Sequence, residues 1–408
     1  MFEIKDTCYD TVSVSTQGIH GDAHLRTSAD VVPPISVTTT FDYPKDDLGS
    51  CNYGPDQSYA YSRETTPIVT KVEATLSTLT EGYAVLYGSG LSAALAVLIE
   101  YKPRKIALSK CYFGVGEVVS QYQELVPGVE VVDTDGSFDG VDLVWIESPV
   151  NPTGEVLDIC SYTQRAHAAG AILVIDSTLA PPPLSYPFRQ GADIVVHSAT
   201  KYLGGHCDLL AGVVVTKSAK STETLRKTRG VLGLGAGSME AWLLLRSLRT
   251  LSVRVRQQSQ TTAQLVGFLE GHRSAACATA EHAPAEAELS VGRRIAKVQH
   301  ASLQFPAESR SPDVTRQHPE GFGALFAVLF ATKEQALFVA RHLKLHRFAT
   351  SLGGVESLVD WRHGFDPTAD PTMLRVSVGL ESYEDLANDW KQALLALDAH
   401  ETEAPVIS

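Results

Sequence analysis

The sequence predicts an α/β protein in which a mainly parallel sheet domain follows an N-terminal arm and precedes a smaller α/β domain. Three observations predict it. Short apolar runs of strand type alternate with helical patterns, which is how a parallel sheet covered on both faces reads. The polar residues able to do chemistry cluster just after those runs, beyond the carboxyl ends of the strands, where such sheets bind ligands. The length, 408 residues, suits two or three domains at about 150 residues each.

Composition narrows the function classes. Apolar residues at 44% and charged ones at 20% are ordinary globular values and exclude wholesale disorder. A formal net charge of -13 argues against duplex nucleic acid or an anionic membrane as partner, because both need a basic footprint. Six cysteines (Cys8, Cys51, Cys111, Cys160, Cys207 and Cys277) are scattered without a C-x-x-C pair, so neither a zinc site nor a dense disulfide framework is expected, and no metal. The first residues lack a basic stretch followed by an apolar run, so no secretory signal is read. The long uncharged stretch Tyr83 to Ile99 contains Gly88, Ser89 and Gly90 and suits a buried strand–turn–helix better than a membrane span. A soluble cytoplasmic protein is expected.

Residues 1–60, rich in Gly, Pro and Thr as at Val31-Val-Pro-Pro-Ile-Ser-Val-Thr-Thr-Thr40, read as an extended arm. Thr66-Pro67 opens a helix with apolar positions at Ile68, Val72, Leu76 and Leu79, closed by Gly82. The sheet domain, 61–245, takes strands at Lys105–Leu108, Leu143–Glu147, Ile172–Asp176, Asp193–His197 and Gly212–Thr216, with a helix over Leu157–Ala169 between two of them. One long amphipathic helix is expected over Ser238–Arg256, with Trp242, Leu245, Leu248 and Val253 on its apolar face. It leads through a polar, Ala/Glu-rich stretch, His272–Glu288, into the smaller domain, 246–408, whose tail frays after Ala399.

The densest chemistry lies at Asp193-Ile-Val-Val-His-Ser-Ala-Thr-Lys201-Tyr-Leu-Gly-Gly-His206. A strand ends at His197, and a turn then presents Ser198, Thr200 and Lys201. A lone lysine in such a turn is ordinarily a solvated loop residue. Flanked by two hydroxyls at a strand end, it can instead form a Schiff base while the hydroxyls bind a phosphate, as a pyridoxal-phosphate enzyme requires. Upstream, the strand Val174-Ile-Asp176 ends on an acid. That acid is either a helix cap or a carboxylate held against a pyridine nitrogen to keep it protonated. Tyr87-Gly-Ser-Gly90 is a turn into a helix whose free N–H groups suit a phosphate, although Gly-Ser-Gly alone mostly marks a tight turn.

These segments, in this order, resemble the pyridoxal-phosphate enzymes of cysteine and methionine metabolism, the cystathionine γ-synthase and γ-lyase family. The resemblance runs from about Tyr61 to the end. It rests on Tyr61-Ser-Arg63, Ser89-Gly90, Glu147-Ser-Pro-Val-Asn151-Pro, Asp176-Ser-Thr178, His197-Ser-Ala-Thr-Lys201, Ser351-Leu-Gly-Gly-Val-Glu-Ser and Arg375-Val-Ser-Val-Gly-Leu-Glu381. It implies a fold-type-I transferase carrying pyridoxal 5'-phosphate. Lys201 would then be the Schiff-base lysine and proton shuttle, and Asp176 the partner of the pyridinium. Ser89, Ser198, Thr200 and the backbone at Gly90 and Leu91 would hold the phosphate, and Tyr112 would stack on the ring. Arg375, with Asn151 and Ser351, would hold the substrate α-carboxylate, a task that also suits a guanidinium fork on general grounds. Tyr61 and Arg63 would reach the phosphate of a neighbouring subunit, so the resemblance implies a homodimeric active unit and a homotetramer.

The sequence departs from the family's pattern in four places. Asp-Asn-Thr becomes Asp176-Ser177-Thr178, and Tyr-Gly-Gly-Thr becomes Tyr112-Phe-Gly-Val115. The usual Pro-Ala…Thr-His segment is replaced by Val359-Asp-Trp-Arg-His-Gly364, as in the fungal branch. Thr350 stands where many relatives carry glutamate or, in β-lyases, tyrosine. Losing a carboxylate there removes a partner for the ammonium of an incoming amino acid. The acceptor is therefore not expected to be cysteine, and the resemblance to fungal γ-substitution enzymes implies γ-replacement on an O-acyl-L-homoserine, chiefly the O-acetyl ester, by a small carbon or sulfur nucleophile, in secondary metabolism. The alternatives are cystathionine γ-synthesis, γ-elimination, or a catalytically dead scaffold on the same fold.

Overall fold

The computed structural model describes residues 12–26, 29–42, 59–277, 290–304 and 312–403. Cys8, Cys51 and the stretch 278–289 lie outside them, as does the side chain of Cys277. The chain divides into two compact units, Met1–Ser148 with Asp158–Val253, and Pro149–Leu157 with Arg254–Ser408.

The first unit is built on seven strands: β1 (Tyr83–Tyr87), β2 (Lys105–Leu108), β3 (Glu130–Val132), β4 (Leu143–Glu147), β5 (Ile172–Asp176), β6 (Ile194–Ser198) and β7 (Gly212–Thr216). Their order is β1-β7-β6-β5-β4-β2-β3. Strands β3, β2, β4, β5 and β6 are parallel, and β7 runs antiparallel to both its neighbours. Strands β4, β5 and β7 are almost wholly apolar and buried along their length, the pattern of strands covered on both faces. Parallel pairing puts the ends of β2, β4, β5 and β6 along one edge, which gathers the candidate residues that follow them.

The helices of this unit are α1 (Val14–His20), α2 (Pro67–Thr80), α3 (Gly90–Tyr101), α4 (Phe113–Leu125), α5 (Ile159–Ala168), α6 (Ala219–Leu232) and α7 (Ser238–Leu248), with the start of α8 (Leu251–Cys277). Helix α2 begins as its sequence predicts: the Thr66 side chain caps Val69 and Pro67 occupies the first turn. Its end differs. The left-handed residue is Glu81, at φ 60°, rather than Gly82. Gly82 is needed for packing instead, because a Cβ there would lie 2.8 Å from Val215 and 2.9 Å from Phe188. On the same helix, buried Glu73 binds Arg226 at 2.8 Å and Arg229 at 2.5 Å and accepts the Leu86 N–H at 3.0 Å. One carboxylate thus ties α2 to α6 and β1.

Three expectations change. The arm is not extended throughout, since α1 lies within it; Ser13 caps that helix, and Arg249 binds the Gly18 carbonyl at 3.0 Å and Asp22 at 2.6 Å. The single helix expected over Ser238–Arg256 is broken after Leu248, where Arg249 and Thr250 turn back on the Ser247 carbonyl. The division between units falls after Val253 rather than at 245/246, because Ser252 is still hydrogen-bonded to Ser15 at 2.6 Å, and residues 149–157 go with the second unit.

The second unit carries β8 (Ile295–Gln299), α9 (Ala301–Gln304), α10 (Pro312–Gln317), β9 (Leu325–Phe330), α11 (Lys333–His342), β10 (Arg347–Phe348), β11 (Leu358–Asp360), β12 (Met373–Ser377) and α12 (Tyr383–Glu403). The sheet order is β10-β11-β12-β9-β8, antiparallel except for the β10–β11 pair. Helix α12 continues past Ala399, held where Arg294 binds Asp398 at 2.9 Å and Thr402 bonds the Asp398 carbonyl. Among the described residues no helix is long and apolar enough to cross a membrane.

Candidate active site

In the first unit, Asp176 ends β5 and Ser198 ends β6, with Lys201 in the turn three residues on. No helix follows Asp176; its carboxylate accepts the Thr178 N–H at 3.0 Å in a tight turn, so the helix-cap alternative falls away. Thr178 in turn accepts the Ser198 N–H on its hydroxyl at 2.7 Å. Burial pushes the Asp176 carboxyl above the usual carboxylate range, against the Thr178 hydroxyl and N–H that favour its ionised form. Beside it, His197 is buried and its Nδ1 has no hydrogen-bond partner. Burial lowers this imidazole to about 4, so it is neutral at pH 7. The Lys201 turn is fixed by its own backbone, with Lys201 N–H on the Ser198 carbonyl at 3.1 Å and Gly205 N–H on the Lys201 carbonyl at 2.6 Å.

Opposite Ser198 lies the start of α3. Ser89 caps the helix by accepting the Ser92 N–H at 3.0 Å, leaving the N–H groups of Gly90 and Leu91 in the first turn outside the intrahelical ladder. A Cβ on Gly90 would lie 3.0 Å from the Ser198 Cβ, and one on Gly212 would collide with the Ser89 carbonyl. These two glycines let the helix start, the end of β6 and the start of β7 come together. The Thr200 hydroxyl is engaged with Ala211, accepting its N–H at 3.1 Å and facing its carbonyl at 3.3 Å.

Tyr112 follows β2 and precedes α4. Its backbone N–H is held by the Glu147 carboxylate at 2.7 Å, and Glu147 is paired in register with Asp176 across β4 and β5. A Cβ on Gly114 would lie 2.7 Å from the Tyr112 ring and 3.2 Å from Leu91, so Gly114 leaves room for that ring beside the helix start. Burial raises the neighbouring Cys111 thiol to about 12, helped by the Glu147 and Asp176 carboxylates. Glu147 was not singled out by sequence; its place in Glu147-Ser-Pro-Val-Asn151-Pro was the available signal.

Tyr61 and Arg63 lie between the arm and α2. Tyr61 is bridged to Thr40 of the arm. Arg63 lies over the Tyr61 ring at 5.8 Å, pairs with Glu64 at 2.9 Å and donates to the Gly230 carbonyl at 2.5 Å.

In the second unit, Arg375 is central to β12 and only 3% exposed, not a surface charge before a strand. It donates to the Ser351 carbonyl at 2.7 Å and to Asn151 Oδ1 at 3.3 Å, so the three residues expected to act together are together. Ser351 holds a left-handed backbone at φ 79°. Thr350 beside it is exposed. A further residue joins them: Asp360, in β11, pairs with Arg375 at 2.9 Å.

The first unit's donors fit pyridoxal phosphate. Hydroxyl and N–H donors lie together where two glycines let the α3 start, the end of β6 and the start of β7 approach closely, a setting that suits a phosphate. A buried carboxyl raised by desolvation is suited to a protonated ring nitrogen, and a lysine closes the same strand-end group. Among the described residues no His, Cys, Asp and Glu cluster could hold a metal.

Comparison with known proteins gives the family and the fold. Residues 15–395 match the family model for Cys/Met metabolism PLP-dependent enzymes. The chain is 30% identical to cystathionine gamma-lyase of Saccharomyces cerevisiae, over 95% of this chain and 98% of that one. It is 30% identical to cystathionine gamma-synthase of Escherichia coli, over 90% and 93%. The crystal structure of metB from Corynebacterium glutamicum superposes with a TM-score of 0.82 at 29% identity, covering 95% of this chain and 99% of that one. The fold is that of the fold-type-I PLP enzymes, and the chain belongs to the Cys/Met metabolism PLP-dependent enzyme family.

Proposed function

We propose that this PLP-dependent enzyme performs γ-replacement on an O-acyl-L-homoserine, with the acetyl ester as first choice, joining a small carbon or sulfur nucleophile at Cγ. The ester oxygen leaves Cγ as a carboxylate, the nucleophile bonds in its place, and the proton lost from its C–H or S–H balances the exchange. Bound pyridoxal phosphate supplies an electron sink for carbanions next to the amino group.

In this reading Lys201 holds the cofactor by its amine and carries a proton to and from Cα. Asp176 keeps the ring nitrogen protonated. Ser89, Gly90, Leu91, Ser198 and Thr200 bind the phosphate, and Tyr112 packs on the ring. Arg375, Asn151 and Ser351 hold the α-carboxylate. Tyr61 and Arg63 serve the phosphate of a second subunit, which makes a homodimer the active unit within a homotetramer. The sheet unit is the cofactor domain and the second unit the smaller C-terminal domain; we place the protein in the cytoplasm and its product in secondary metabolism.

The observation that carries this reading is Thr350: exposed, uncharged, and joined to the Ser351 whose carbonyl Arg375 binds. It offers an incoming ammonium no carboxylate. Incubation with O-acetyl-L-homoserine and a panel of thiols and enolisable carbonyls, read by mass spectrometry, should give a γ-substituted amino acid faster than 2-oxobutanoate. The similarity to a cystathionine gamma-lyase favours γ-elimination as the second reading. Oxo acid dominating at saturating concentrations of every nucleophile would establish it.

A further inference from the structure

Asp360 lies directly opposite Arg375 in the β11–β12 register and is 3% exposed. One oxygen of its carboxylate, Oδ2, faces two cations: Arg375 at 2.9 Å and Arg362 at 3.5 Å. Arg362 is itself buried and starts a short turn of 3-10 helix just after β11. Arg362 also lies near Asp366, which donates its backbone N–H to the Arg362 carbonyl at 2.9 Å; the Thr368 hydroxyl and, to a smaller extent, the Arg362 charge hold the Asp366 carboxyl below its ordinary value.

We propose that Asp360 is a positioning residue for the substrate carboxylate, holding the Arg375 guanidinium in its binding orientation by standing between it and Arg362. The inference rests on Arg375 as the carboxylate-binding residue, as set out above. Two arginines that share one carboxylate oxygen lie within a few ångströms of each other, in a setting where water screens them little. Removing the negative charge takes away the one anion that both buried cations face, and breaking a buried ion pair by deleting one partner is far more disruptive than never having had it. Arg375 is held besides by the Ser351 carbonyl and the Asn151 amide oxygen, both neutral acceptors. With the charge gone, repulsion from Arg362 turns the guanidinium away from the direction those acceptors set. Asp360 has an influence on binding without touching the ligand.

The test uses the holoenzyme and the change in its visible absorbance on titration with L-2-aminobutyrate, which has the α-carboxylate but no γ leaving group. Propylamine, the same amine without the carboxylate, is the control. Asp360→Asn should weaken 2-aminobutyrate at least tenfold and propylamine less than twofold, and in turnover raise KM at least tenfold with kcat within threefold. Adding Arg362→Gln should recover most of the lost affinity, because it removes the repelling cation. A merely structural Asp360 would give a double variant no better than the single one, and that result overturns the proposal, as does an unchanged affinity in Asp360→Asn. Arg375→Gln tests the underlying reading separately. If it leaves 2-aminobutyrate binding intact, the carboxylate assignment itself is wrong; if it abolishes binding while Asp360→Asn does not, only the role of Asp360 fails.

Discussion

The Ser198 backbone N–H donates to the Thr178 hydroxyl at 2.7 Å, tying the loop after Asp176 to the turn that carries Lys201. Two neighbouring parallel strands are thus joined at their carboxyl ends, just past their last register pair, Asp176 and Val196. Thr178→Val keeps the volume and removes the acceptor. An unmet N–H in a partly buried setting costs about 1–3 kcal/mol, so a lower melting temperature and about tenfold weaker retention of the cofactor are expected. Cofactor release measured by fluorescence checks this, and Thr178→Ser, which keeps the hydroxyl, should restore retention. Wild-type retention in the valine variant would contradict the linkage.

Two glycines should respond to alanine with opposite signs. At Gly212 the new methyl collides with the Ser89 carbonyl, a backbone atom that cannot rotate away. A loss of about 1–3 kcal/mol is expected from such overpacking, together with weaker phosphate binding at the α3 start. At Gly116, inside α4, nothing lies within 4 Å of the added Cβ. Alanine there should stabilise by about 0.5–1 kcal/mol. Urea midpoints of the two variants decide it; a tolerated Gly212→Ala would mean that this close approach is not fixed.

What was legible in the sequence follows from the range over which each feature is specified. The strand runs, the Thr66-Pro67 helix start and the Ser198–Lys201 turn are local patterns, and each lies where its residues imply. Asp360 was not legible as a site residue. Its partner Arg375 is adjacent only through strand register, which spacing along the chain does not reveal. Glu147 escaped for the same kind of reason, since its hydrogen bond reaches Tyr112 from another strand. Glycine is the usual signal for a helix end, yet Gly82 answers to packing and Glu81 takes the left-handed turn. Helix α1 is short and held largely by Arg249 and Asp22, far apart in sequence, so its own periodicity carried little signal.

Acid should destabilise the fold through buried neutral histidines. Burial lowers His197, His300 and His318 each to about 4, whereas the ordinary value is 6.5. Between those values the unfolded chain binds more protons than the folded one, so stability falls as pH drops from 6.5 towards 4. His318 has no partner on either ring nitrogen, so His318→Leu removes the titration without breaking a bond. Relative to wild type, this variant should gain about 2 kcal/mol between pH 7 and pH 5. Urea denaturation at the two values tests it, and parallel pH profiles would contradict it.

The proposed sharing of sites between subunits makes a separate prediction. Lys201→Ala and Arg63→Ala, each inactive alone, should recover activity when mixed under conditions that allow subunits to exchange. In a mixed dimer one site then combines an intact Lys201 with an intact Arg63, while its twin carries both defects. Subunit exchange is followed by mass-tagged chains. Exchange without recovered activity would place Arg63 within its own chain's site or outside the site altogether.

The central claim is that Lys201 holds the cofactor, in the turn after β6 beside Ser198 and within one strand of Asp176. Borohydride reduction of the holoenzyme, followed by peptide mapping, tests it most directly, because reduction fixes pyridoxal phosphate to whichever amine carries it. The account predicts a single modified peptide labelled at Lys201, and no label when Lys201→Ala is treated in the same way. A label on any other lysine of the unsubstituted protein, or its persistence in that variant, would contradict the assignment.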